Sequence, residues 1–400
     1  MQVQVTCPVN IALLKYWGKV DELNIFPLTS SISLTLNQSH VGSRTTVFTK
    51  NGLKQSQFKL NGRVTQFPPR LLDVLIIAQL RSRLHGKHIA SPFICVETEN
   101  NFPTAAGLAS SASGTAAFAF ALGKMYSLDG DYTSFSRRGS GSSCRSLSGG
   151  FVLWSSNRGD YLHPSFVQQL FPSSHWPELK VLICVVNEHS KHIGSTDAML
   201  NCVNTSDLFR SGRVLSAKIH EKQAISALRE RDFSALAEVT MRESNQLHAV
   251  CLDTWPPCVF LNHLSYSIMD FVHRINKYFK KSVVAYTFDA GPNAFLLTES
   301  HNIENILKYL VECFGRTVGV GDSMNTTDKF TVQCRDSNKY LKVIGIRYSL
   351  SDTPLDQNLL GELPCIPGGI QYLISTEKEY MCKILLGNAA IIFITLLPIN

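Results

Sequence analysis

The sequence has no CxxC pair and no regular spacing among its 11 cysteines. That argues against a disulfide framework and against a structural zinc site. Cys95 in FICVE and Cys184 in VLICVV sit in apolar runs and read as reduced core residues. No block of five or six like charges occurs, and the net charge is only +7. A dedicated nucleic-acid binder would show a basic stripe with interleaved aromatics, so nucleic acid is not an expected partner. The mild basic excess reads as solvated surface or as provision for an anionic small substrate. No basic, then apolar, leader is found in MQVQVTCPVN, so no secretory signal is expected and the cytoplasm is the expected location. No internal repeat, heptad or three-residue period is visible. No GxxxxGKS/T phosphate loop is present, because no lysine follows the second glycine of the small-residue loop near 107.

What is present is an ordinary globular balance, 44 % hydrophobic and 17 % charged over 400 residues. That is enough for a sizeable core and two domains. The uncharged run from Ile384 to Ile399 is shorter than the roughly 20 residues a membrane span needs, and Gly387 and Pro398 interrupt it. It reads as a buried strand or helix, without stable membrane insertion. Apolar alternation predicts strands at 3–12, 31–36, 44–48, 57–60, 93–97, 151–154, 180–186, 283–288, 295–297 and 340–348. Asn61-Gly62 marks a tight turn. Helical spacing covers 70–84, with Leu72, Leu75, Ile76, Gln79 and Leu80 on neighbouring turns, and also 111–126, 214–248, 259–278 and 303–314. The 136–150 stretch reads as a Gly/Ser-rich loop, and 172–177 as the domain boundary. The mixture suits two α+β layers.

Four segments carry chemistry. In NNFPTAAGLASSASG, from Asn100 to Gly114, small residues let backbone N–H groups and a helix N-terminus approach a polyanion, and the Ser110 and Ser111 hydroxyls can add phosphate or metal contacts. A small-residue helix packed on a sheet would look the same. In RRGSGSSCRSL, from Arg137 to Leu147, glycine and serine alternate between arginines, which makes either an anion cradle or a linker. KYWGK, Lys15 to Lys19, sets two lysines around an aromatic pair. TFDAGPNA, Thr287 to Ala294, puts an acid at an apolar strand end, where it is either a turn cap or a functional carboxylate. Lys15 is its candidate ionic partner.

Together with PVNIA (Pro8 to Ala12), WPELKVLI, MRESNQLHAVCLDTWPP and VAYTF, these segments closely resemble the diphosphomevalonate decarboxylases of the isoprenoid pathway. Those enzymes belong to the GHMP small-molecule kinase superfamily, with galactokinase, homoserine kinase and mevalonate kinase. The resemblance spans about Val3 to Thr298 and returns at PGGIQY, Pro367 to Tyr372. It implies a two-domain α+β GHMP kinase fold: an ATP-binding domain like the second domain of ribosomal protein S5 over 1–178, and a ferredoxin-like domain over 179–400. It implies a homodimer that uses ATP and Mg2+ to convert mevalonate 5-diphosphate to isopentenyl diphosphate, ADP, phosphate and CO2.

By the same resemblance, Asp289 is the catalytic aspartate and Lys15 its partner. Ser140, Gly141, Ser142, Ser143, Cys144 and Arg145 match the loop that binds the substrate's diphosphate and carboxylate. Tyr16, Trp17, Gly18, Lys19, Arg70 and Thr196 match further substrate contacts. Asn101 and the loop Pro103, Thr104, Ala105, Ala106, Gly107, Leu108, Ala109, Ser110 and Ser111 would wrap the ATP phosphates. No metal ligand is assigned. Three stretches depart from the family: 128–137 is several residues shorter, which bears on the placement of Ser140 to Arg145; 210–220 is spaced differently; and the ending after Tyr372 lacks the Gly-Pro-rich pattern. The other readings are a sibling kinase that phosphorylates mevalonate or phosphomevalonate and stops, and a catalytically impaired binding protein.

Overall fold

A computed structural model describes residues 1–86, 91–102, 110–156, 165–186, 193–317, 331–333, 338–346, 348, 350–379, 381–386 and 389–392. The first expected strand is in fact two, Gln2–Pro8 and Asn10–Leu14, which part at Val9 and enter different sheets. Gln2–Pro8 lies in a seven-stranded sheet beside Gly42–Phe48, followed outward by Cys95–Asn100, Gln57–Leu60 and Arg63–Thr65. Asn61 and Gly62 both take positive φ and close the hairpin between the last two, as the sequence predicts. The helix Ser110–Met125 packs across Gln2–Pro8 and Gly42–Phe48. Its buried alanines at 112, 116, 117, 119 and 121 let it sit close, while Phe118 and Leu122 fill the core. Each of those two large side chains contributes roughly 2 kcal/mol by leaving water.

Asn10–Leu14 pairs with Ser31–Thr35 in a four-stranded sheet completed by Phe151–Trp154 and Val167–Phe171. The second large sheet runs Val284–Phe288, Ala294–Glu299, Leu179–Val185, Tyr372–Glu377 and Lys339–Gly345, with Arg316–Thr317 at the edge and Thr331–Gln333 also on Lys339–Gly345. Ile11, Leu13, Ile32 and Leu34 of the small sheet share one apolar core with Val181, Ile183, Phe295 and Leu373 of the large one. That shared core aligns the ends of Asn10–Leu14 and Val284–Phe288, where Lys15 and Asp289 follow.

Three expectations are corrected. The 136–150 stretch is not an open loop but forms two short helices, Thr133–Gly139 and Ser143–Ser146, because buried Ser136 and Ser143 satisfy one another through hydroxyl bonds. The stretch 214–248 is two helices, Val214–Glu230 and Phe233–Leu252, separated at Arg231, whose φ is +57°, and restarted by an Asp232 cap on the Ala235 N–H. The helix expected over 70–84 is present as Pro69–Leu84; it buries Val74, Leu75 and Ala78 and leaves Leu72, Ile76 and Leu80 exposed. Finally, Cys7 and Cys382 form a disulfide across 375 residues. No local spacing could reveal it, since it arises from Lys383–Leu386 pairing antiparallel to Gln2–Pro8, Thr6 opposite Lys383. Cys95 and Cys184 are free and buried, as expected.

The apolar tail forms Lys383–Leu386 and Ala389–Ile392, two strands added to the N-terminal sheet. Residues 393–400 lie outside the described residues. Among the described residues, no helix is long and apolar enough to cross a membrane.

Candidate active site

Lys15 directly follows the strand Asn10–Leu14, and its side chain is buried (1 % exposed). Burial disfavours its ammonium form and lowers its pKa. The Asp289 carboxylate opposes this from 2.8 Å, at Oδ1. Asp289 remains 26 % exposed, so one side of the carboxylate faces Lys15 and the rest is open to a cavity of about 860 Å³ that both residues line. The pair therefore joins two distant parts of the chain at the cavity wall.

Arg145 lies on the same wall and is 2 % exposed. Its Nε and Nη2 donate to Asn10 Oδ1 at 3.3 and 3.2 Å, and Nη1 donates to Ser31 Oγ. Its guanidinium lies 5.9 Å from the Trp154 ring centroid. Asn10 is held in turn by donating to Ser146 Oγ and the Ser142 carbonyl. No carboxylate forms an ion pair with Arg145 among the described residues. Burial lowers its pKa, yet a guanidinium stays charged, so the cavity wall carries a cation with no direct carboxylate contact among the described residues. Such a site suits an incoming carboxylate or phosphate.

Tyr16 packs against Trp154, with ring centroids 4.6 Å apart, and its buried hydroxyl has no hydrogen-bond partner among the described residues. Burial raises its pKa, so the phenol is a donor. Gly141 approaches this hydroxyl so closely that a Cβ there would lie 2.6 Å from it. Gly141→Ala is expected to raise the KM for the anionic substrate about 10-fold by displacing the phenol; steady-state kinetics would check this, and an unchanged KM would count against Tyr16 as a contact.

Of the other expected residues, Trp17, Lys19, Arg70, Ser111, Ser140, Ser142 and Thr196 also line the cavity. After the short 128–137 segment, Gly139 seats the chain against Thr115, Val74 and Leu71, and Ser140, Gly141, Ser142 and Arg145 line the cavity. Gly18, Ser143 and Cys144 do not line the cavity. Gly18 turns the chain at φ +84° against Phe209, Ser143 bonds to Ser136, and Cys144 packs with Ile25 and Trp154. Asn101 braces the 38–42 turn, accepting from the Gly42 N–H and donating to the Gln38 and Ser39 carbonyls, whereas its neighbour Asn100 lines the cavity. Pro103 to Ala109 and the Ser110 side chain lie outside the described residues.

Reading motifs one at a time missed Asn10 as the orienter of Arg145 and Glu243 as the acceptor for the Lys15 N–H at 2.9 Å. PVNIA carried a signal for the first, since a polar residue in a buried strand must find a partner. A second arm of the cavity is apolar, with Phe58, Leu60, Pro68, Val96 and Phe118.

Two family models cover this architecture. The diphosphomevalonate decarboxylase-like N-terminal domain matches residues 7–163, and the mevalonate 5-diphosphate decarboxylase C-terminal domain matches residues 181–378. The chain belongs to the diphosphomevalonate decarboxylase family. The human diphosphomevalonate decarboxylase is 39 % identical over 388 residues, covering 94 % of this chain and 91 % of the relative. That of Saccharomyces cerevisiae is 38 % identical over 349 residues, covering 84 % and 87 %. The mevalonate diphosphate decarboxylase from Trypanosoma brucei superposes with a TM-score of 0.82 at 29 % identity over 100 % of both chains. A solved structure described as MDDEF in complex with MVAPP, AMPPCP and magnesium gives 0.72 at 26 % identity, covering 96 % and 99 %. The fold is thus that of the diphosphomevalonate decarboxylases, two-domain and α+β, as the sequence predicts.

Proposed function

We propose that this chain carries out the family's reaction, ATP-dependent decarboxylation of mevalonate 5-diphosphate, with Asp289 and Lys15 at the reacting centre. The observation that carries this reading is the Lys15–Asp289 ion pair, half open to a cavity that also presents the buried guanidinium of Arg145.

A tertiary hydroxyl is a poor leaving group, and phosphorylation at C3 makes it a good one. Asp289 accepts the C3 hydroxyl proton as that oxygen attacks the γ-phosphorus and the bond to ADP breaks. Lys15 orients the carboxylate and offsets charge on the transferred phosphoryl group. Phosphate then leaves C3 with its bonding electrons. The electrons of the C1–C2 bond form the C2–C3 alkene, releasing C1 as CO2. Asp289, again an anion once its proton is lost, faces the positive charge that develops at C3.

Arg145, Ser140, Ser142 and Tyr16 grip the substrate's anionic groups. The apolar arm with Phe58, Leu60 and Phe118 suits a flat adenine, and the helix N-terminus at Ser110–Met125 suits the triphosphate. Among the described residues, no group of three or more His, Cys, Asp or Glu side chains could hold a metal. Mg2+ would be held chiefly by the nucleotide phosphates, with the Ser111 hydroxyl on the wall to meet it. When bound, the metal neutralises charge on the polyphosphate. In this reading residues 1–178 take the nucleotide, 179–400 supply Asp289, and the protein is a homodimer, as the family resemblance implies.

Incubating the purified chain with ATP, Mg2+ and mevalonate 5-diphosphate should release ADP, phosphate and CO2 in equal amounts, with isopentenyl diphosphate as the organic product. ADP and a phosphorylated mevalonate without CO2 would make it a sibling kinase, and no turnover a binding protein.

A further inference from the structure

Glu243 is wholly buried in the middle of the helix Phe233–Leu252 and makes no contact with the cavity. Four donors converge on its two oxygens. Arg213 Nη1 and Nη2 reach Oε1 and Oε2 at 2.7 and 2.6 Å. His220 Nδ1 lies 2.6 Å from Oε1, and the Lys15 N–H donates to Oε2 at 2.9 Å. Arg213 also donates from Nη2 to the Lys15 carbonyl at 3.2 Å, so both backbone polar groups of Lys15 are held by one ion pair. Arg213 reaches this point from a π-helical turn, Phe209–Arg213, an irregularity that often marks functional positions. The next residue of the helix, Ser244, accepts the Phe288 N–H at 3.0 Å, immediately before Asp289. Asn245 then accepts from the Tyr286 hydroxyl on the same strand.

A buried carboxylate bound by an arginine could be no more than a packed ion pair. Here, however, consecutive residues of one helix grip the main chain at Lys15 and beside Asp289, which come from separate sheets. We propose that Glu243, with Arg213 and His220, is a positioning group for catalysis: it fixes the Lys15 backbone, while Ser244 fixes that of Asp289, and the helix between them sets the spacing of the reacting pair. This rests on the reading of Lys15 and Asp289 given above.

Electrostatics point the same way. Burial pushes the Glu243 carboxyl up, but hydrogen bonds from His220 and Arg213 and the guanidinium charge outweigh it and hold the group below its ordinary range. The resulting anion favours the Lys15 ammonium, which also faces Asp289, Arg145 and His248. His248 is neutral there, since burial holds it at about 3.

The test compares Glu243→Gln, Glu243→Asp, Arg213→Lys and Asp289→Asn in the full chain, reading melting temperature, kcat, both KM values and the pH profile. Glu243→Gln should lower kcat about 100-fold with each KM within about 3-fold, because misplacement of the pair harms the transition state more than ground-state binding. Loss of one negative neighbour should move the alkaline limb of kcat to lower pH, since the Lys15 ammonium then loses its proton sooner. Glu243→Asp should restore about 10-fold of the lost kcat. A folded Glu243→Gln enzyme with near-parental kcat, with KM carrying the loss, or with an unmoved alkaline limb overturns the proposal. If that variant does not fold, Arg213→Lys decides: it keeps the charge but not the forked contact, and should lower kcat about 10-fold at constant KM. Unchanged kcat there overturns the proposal. Asp289→Asn separates the two ideas: if it turns over normally, the reading of the reacting pair fails; if it is inactive while Glu243→Gln is normal, only the positioning role fails.

Discussion

Asp289→Asn should lower turnover by about 10³- to 10⁴-fold while leaving ATP affinity within about 3-fold of the parent. The amide is nearly isosteric, so the cavity keeps its shape. It cannot take the C3 hydroxyl proton, however, and it carries no charge to set against a developing cation. It also withdraws the main partner of Lys15, which burial already disfavours as an ammonium. The loss should therefore fall in kcat, with nucleotide binding, measured by titration with a non-hydrolysable analogue, little changed. Near-normal turnover would show that the carboxylate is not the proton acceptor.

Arg145→Gln should weaken mevalonate 5-diphosphate about 30- to 100-fold, the magnitude of one lost charge-assisted contact in a dry site, and leave ATP within about 3-fold. Glutamine can still donate toward Asn10 or Ser31, so the loop need not collapse. What disappears is the one buried cation of the described cavity wall without an acidic partner. Calorimetric titration with each substrate separates the effects. Equal losses for both would move Arg145 from substrate recognition to general support of the loop.

Both residues were legible in the sequence because chemistry of this kind leaves local traces. An acid in an apolar strand end, or an arginine among glycines and serines, is conspicuous wherever it lies. Their convergence was legible only through resemblance, since Lys15 and Asp289 are 274 positions apart and nothing in either segment refers to the other. Glu243 was hidden for a different reason. Beside Arg242 in a helix it looks like one of many solvated charges, and Arg242 does pair with exposed Glu238 at the surface. Only the packing of Arg213 and His220 over it reveals a buried anion. The exposed Leu72, Ile76 and Leu80 show the converse: the helix Pro69–Leu84 has apolar residues on more than one face, so periodicity alone could not choose which face enters the core. The Ser136–Ser143 contact turned an apparent linker into two helices by satisfying hydroxyls that composition would leave to water.

The tail strand Lys383–Leu386 has a structural consequence beyond its apolar composition. By lying against Gln2–Pro8 it supplies the main-chain partners on one side of that strand. A variant ending at Glu379 would uncover a row of idle N–H and C=O groups beside the apolar side chains of Val3 and Val5, and cut the covalent tie to Cys7 as well. Such an edge is a template for strand addition by another molecule. The tail thus covers that side of Gln2–Pro8 and hands the edge of the sheet to its own last strand, Ala389–Ile392, without lining the cavity.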